Sequence, residues 1–172
     1  MATASDQVIQ ETPAEAGLTR VKGLVVLAGV VVAVAALIGI ATALQLSALY
    51  AGFLFALYWT GVCHTAMDKF LPTLVGSLGG LALAYALTAL PLQLGATLGM
   101  ALALGLVLLA IYALIMGWVP MLVNYAFMLF LTVGSIPELH GEATLGAMAW
   151  AVIVAAVYLW VLVTLGKKLA SR

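Results

Sequence analysis

Between residues 23 and 166 the chain carries only four Asp, Glu, Lys or Arg residues: Asp68, Lys69, Glu138 and Glu142. A soluble domain does not keep so long a stretch nearly free of charge, because soluble domains carry about a quarter charged residues. The whole chain of 172 residues is 66% hydrophobic and 7% charged, with a mean hydropathy of +1.27. That composition excludes disorder over most of the length, which requires low hydrophobicity. It reads as an all-α polytopic membrane protein. Six basic residues balance six acidic ones, so no basic patch for nucleic acid is expected. The single Cys63 permits no internal disulfide.

A helix needs about 20 apolar residues to cross the hydrocarbon. Six spans are expected, at 23–44, 49–66, 71–90, 92–116, 118–136 and 144–166, with Pro91 at the seam between the third and fourth. Residues 1–22 read as a polar leader and 167–172 as a basic tail around a transmembrane domain of 23–166. Ala41-Thr42-Ala43 resembles a signal cleavage site, but the apolar run before it exceeds the usual 7–15 residues of a signal core. With both termini in the cytoplasm, Arg20, Lys22, Lys69, Lys167, Lys168 and Arg172 all fall on the inner side, and the outer loops keep only Glu138 and Glu142. Basic residues in short loops set orientation. Five or seven spans would split the basic set.

The two halves, 23–90 and 92–166, share a layout: a long span, a short aromatic span, then a span rich in small residues. Leu49–Tyr58 lies over Trp118–Phe127 at an offset of 69, and Thr73-Leu74 over Thr144-Leu145 at an offset of 71. Three spans per copy place the copies in opposite orientations. Two inverted three-helix repeats of this kind recur in transporters, with the solute site where they meet. Gly76, Gly80 and Ala84 in the third span form a ladder on one helix face; Gly95, Gly99 and Ala103 form another, and Gly29, Ala33 and Leu37 a weaker one. Small residues allow helices to approach closely in lipid. The same ladders would serve contacts within the bundle or between copies in a homo-oligomer.

No Asp, Glu, Lys or Arg is placed at mid-membrane, where it would mark a proton or ion path, and this favours a neutral or weakly polar solute. Asn124 is the only asparagine and lies in the fifth span. Its amide would bind a solute beside Tyr125 or bond a neighbouring helix. Tyr58, Trp59 and Thr60 form the matching group in the second span; they would line a pore or serve bundle packing. His64 and Asp68 stand at i and i+4 and share a helix face if the helix extends that far, as a gate or as a polar helix end. Glu138, His140 and Glu142 alternate in the outer loop, as a cation or pH sensor or as a solvated loop. No phosphate loop, dinucleotide fingerprint, zinc spacing or catalytic triad is present, so neither enzyme activity nor a cofactor or resident metal is expected.

At Ala51-Gly52-Phe53 and Trp118-Val119-Pro120 the chain resembles a family of small bacterial inner-membrane proteins classed only as a domain of unknown function (DUF1097-like). The resemblance implies a six-helix protein of the bacterial cytoplasmic membrane. It carries over no catalytic or binding residue, and the acidic leader departs from the family picture. The reading that follows is a small-solute channel or transporter, with its site between the second and fifth spans. The alternative is a non-transporting membrane subunit that assembles or stabilises a larger complex.

Overall fold

The structure is a computed structural model, and it describes residues 20–136 and 144–170. All regular structure among them is helical: α1 (Arg20–Ala43), α2 (Leu49–Leu57) continuing into a π-helical turn (Tyr58–Val62), α3 (Met67–Leu94), α4 (Ala96–Met116), α5 (Tyr125–Gly134) and α6 (Leu145–Ala170). Four of these, α1, α3, α4 and α6, are long and apolar enough to cross a membrane. The other two are shorter than expected. Leu49–Val62 spans 14 residues and α5 only 10, about 21 and 15 Å at the helical rise, against roughly 30 Å of hydrocarbon. The segment 118–136 is therefore not one continuous helix.

Helix ends follow local chemistry. The seam expected at Pro91 is displaced, because α3 runs through it to Leu94. The chain turns instead at Gly95, whose φ of 84° and ψ of 157° suit only glycine. Gly117 closes α4 with a left-handed φ of 62°, the usual glycine helix stop. Thr144 caps α6 by accepting from the Ala147 N–H at 3.2 Å.

The chain divides into two compact units after Ala36. In the first, α1 presents Leu24, Val25, Val26 and Leu27 outward. In the second, α5 packs along α3 and α2 packs along α6. The ladder at Gly76, Gly80 and Ala84 forms the α3–α5 contact. A methyl group at Gly80 would collide with the Phe127 carbonyl, and one at Gly134 would lie 2.8 Å from the Ala84 methyl. On the other side, Gly52 of α2 faces Ala151 and Ala155 of α6, with 3.1 Å to the Ala155 methyl. The ladder of Gly95, Gly99 and Ala103 serves the α3–α4 corner, where a methyl at Gly99 would strike the Leu90 and Pro91 backbone. Nothing lies within 4 Å of such a methyl at Gly29.

The core falls into two groups. Phe55, Trp59, Phe130, Met148 and Val152 are fully buried together; Ala84, Val123, Phe127 and Leu131 form the second group with Ala110 and Ala113 of α4. Several serine and threonine hydroxyls return to their own helices: Ser77 donates to the Thr73 carbonyl at 2.7 Å, Thr132 to Met128 at 2.8 Å and Thr164 to Trp160 at 2.7 Å. An unsatisfied polar group in lipid is costly, so these side chains are spent on the backbone.

Candidate functional site

The π-helical turn that ends α2 and the irregular strand of chain before α5 meet at one cleft of about 660 Å³. Its lining includes Tyr58, Cys63, Lys69, Thr73, Asn124 and Tyr125. Three of the five residues expected to hold a solute, Tyr58, Asn124 and Tyr125, thus come together. Trp59 and Thr60 do not line it. The reason is geometric: consecutive helical side chains point in different directions, so 58, 59 and 60 cannot share one wall.

Trp59 is instead the clamp of the turn. It is fully buried, its ring lies 5.0 Å from that of Phe70, and its indole N–H donates to the Ala66 carbonyl at 3.1 Å. Its own carbonyl accepts from the Thr65 N–H, also at 3.1 Å. Thr60 is exposed and donates to the Ala56 carbonyl at 2.7 Å, within the stretch where the ladder widens from i+4 to the i+5 bond between Cys63 N–H and the Tyr58 carbonyl. A widened turn of this sort is frequent at functional sites.

His64 and Asp68 do not share a helix face. Helical backbone stops at Val62 and resumes at Met67, and His64 and Thr65 take left-handed φ values of 49° and 55°. That geometry costs about 1–3 kcal/mol per non-glycine residue, offset here by the two bonds from Trp59. Both His64 and Asp68 are exposed and neither lines the cleft.

Asn124 occupies the cleft wall, yet its amide is already committed. Its Nδ2 donates to the Pro72 carbonyl at 2.8 Å and to Pro120 at 3.2 Å. Its Oδ1 accepts from the Phe127 N–H at 3.1 Å, which makes it the N-cap of α5. Gly76 leaves the space: a methyl there would collide with the Asn124 amide. The residue ties the start of α5 to α3 and shapes the cleft without offering it a free N–H.

Lys69 was not among the residues expected at the site. One signal could have found it: it is the only lysine or arginine between 23 and 166. It sits in the first turn of α3 and lines the cleft beside Ala66, Pro72 and Thr73. Thr73 is buried, and its Oγ1 lies 3.7 Å from the Cys63 Sγ. No group of three His, Cys, Asp or Glu side chains gathers among the described residues. The expected Glu138, His140 and Glu142 cluster lies outside them. A second groove of about 460 Å³, between Ile40, Leu44 and one face of α6, is walled almost wholly by hydrocarbon. No family model, curated protein or solved structure matches the chain.

Proposed function

We propose that this protein is a small-solute channel or transporter, with its solute site at the cleft between the π-helical end of α2 and the start of α5. The observation that carries the reading is the position of the irregular backbone. In lipid, non-helical chain is tolerated only where it is buried in protein or lines a cavity. Here both interruptions, Tyr58–Ala66 and Gly117–Asn124, border the same cleft. Paired interrupted helices mark solute sites in transporters built from repeats.

The packing supports two inverted three-helix repeats. Exchanging the halves turns the α3–α5 pair into the α6–α2 pair, and both pairs are formed. At the offset of 71, Gly76, Gly80 and Ala84 correspond to Ala147, Ala151 and Ala155, small residues at both contacts. The second spans match better at 75 than at 69. The larger offset aligns Tyr50-Ala51 and Leu54-Phe55 with Tyr125-Ala126 and Leu129-Phe130. It also pairs the buried Ala51 and Phe55 with the buried Ala126 and Phe130, whereas 69 sets a helix over irregular chain. In this reading α2 and α5 cross the membrane together with the chain that flanks them, both termini are cytoplasmic, and the cleft opens inward in the bacterial inner membrane.

Proteoliposomes of the purified protein test the proposal. Stopped-flow light scattering should show accelerated entrance of at least one small solute over empty liposomes, and Tyr58→Ala should reduce it at least fivefold. Equal rates with and without protein across water, urea, glycerol and small organic solutes would overturn it. One observation favours the alternative of a non-transporting membrane subunit: the Asn124 amide and the helical hydroxyls are already bonded to backbone. That reading expects a different membrane protein to co-purify in mild detergent, and a pure homo-oligomer counts against it.

A further inference from the structure

We infer that the cleft binds a small monocarboxylate through Lys69. The passage of that anion across the membrane rests on the transport reading above; its binding does not.

Lys69 is the only charged side chain in the lining. Among the described residues no carboxylate pairs with it, and the adjacent Asp68 is exposed and outside the cleft. The polar groups around it are hydroxyls and a thiol, from Tyr58, Tyr125, Thr73 and Cys63, all of which can donate. The Asn124 nitrogen is spent on two carbonyls. Ala66, the N-cap of α3, brings no side-chain acceptor, and the one acidic residue in the first turn of that helix, Asp68, lies outside the lining. A cation finds no carboxylate in this lining.

Charge and wall decide among anions. One ammonium balances one negative charge. Val62, Pro72, Pro120 and Met121 supply apolar walls, which suit a short hydrocarbon chain and do nothing for a strongly hydrated ion such as inorganic phosphate. A monocarboxylate with a short apolar body meets both conditions. Attraction to an exposed lysine is screened by salt, so binding should weaken as sodium chloride rises.

The test begins with binding in detergent. Thermal stabilisation is titrated with butyrate and lactate, against chloride and phosphate, for the wild type, Lys69→Gln and Lys69→Arg. Saturable stabilisation by butyrate or lactate is expected, at least tenfold weaker in Lys69→Gln and largely kept in Lys69→Arg. Equal stabilisation of wild type and Lys69→Gln, or none in the wild type, overturns the inference. An anionic headgroup could supply the same negative charge, so the protein is also compared in phosphatidylcholine vesicles with and without phosphatidylglycerol. A Lys69-dependent response to phosphatidylglycerol with no response to butyrate or lactate assigns the site to lipid and overturns the solute assignment. Finally, radiolabelled lactate flux at pH 8 is measured against protein-free liposomes. Lactate that binds but does not move, with no other solute accelerated, sinks the transport reading and leaves the site standing. Neutral solutes that move while monocarboxylates neither bind nor move sink the inference alone.

Discussion

The two short helices, α2 and α5, are alike in the middle and different at the ends that meet. Each buries an alanine and, four residues on, a phenylalanine: Ala51 and Phe55 in one, Ala126 and Phe130 in the other. Each lies against a long helix through small residues. Their cleft-facing ends share nothing. Helix α2 runs out through a widened turn held by the Trp59 indole, while α5 starts abruptly at a side-chain cap, Asn124, bonded across to α3. The stretches in which the two helices match pack against α3 and α6, and the ends in which they differ border the cleft.

Substitutions at five positions would break or sharpen that comparison. The largest effect is expected at Gly80→Val, because the neighbour of the added carbon is the Phe127 backbone, which cannot swing aside. Overpacking of this kind should cost ~3 kcal/mol or more, read as a collapse of the thermal transition in detergent. Asn124→Ala comes next. It removes the cap of α5 and the bond to Pro72, and should cost about 2 kcal/mol. Asn124→Asp keeps the capping oxygen and should recover part of that loss; equal melting of the two variants would deny the cap its role. Trp59→Phe keeps the aromatic core but removes the indole bond to the Ala66 carbonyl, which keeps only the Lys69 N–H at 3.2 Å, at about 1 kcal/mol. Amide exchange should rise around residues 63–66 and stay unchanged at the start of α5. The smallest effect belongs to His64→Gly. Relief of the left-handed φ of 49° exceeds the entropy cost of glycine, so the variant should melt slightly higher, by about 0.5 kcal/mol. A loss of stability there would show that the imidazole makes a contact the turn depends on.

Gly52→Ala calibrates the other side of the comparison. Its neighbours are 3.1–3.2 Å away, so a loss near 1 kcal/mol, well below that of the matched Gly80→Ala, would show that the α2–α6 contact is the looser of the two.

Much of this was legible in the residues. Unbroken apolar runs gave α1, α3, α4 and α6, and the spacing of Gly76, Gly80 and Ala84 marked a contact that is formed. The lone Asn124 lies at the cleft, and so do Tyr58 and Tyr125. What was not legible has a common cause. Apolar composition alone cannot distinguish a continuous span from a short helix with irregular flanks, so α5 and the irregular residues 118–124 read as one helix. Nor can spacing foresee that helical backbone ends in a π-helical turn at Val62 and resumes only at Met67, which denies His64 and Asp68 a common helix face. Lys69 reads as part of a loop between spans because the residues that line the cleft with it, Tyr58 and Asn124, stand 11 and 55 residues away.

By itself the sequence determined the solvent: a chain with four charges between residues 23 and 166 has to satisfy its backbone within helices and bury little else. Only the tertiary structure decided where helix gives way to irregular chain, and that both interruptions border one cleft. The reason is that a helix is specified by local periodicity, whereas a cleft is specified by which carbonyls and side chains from distant helices meet. In this protein those are the Pro72 carbonyl, the Asn124 amide and the Trp59 indole.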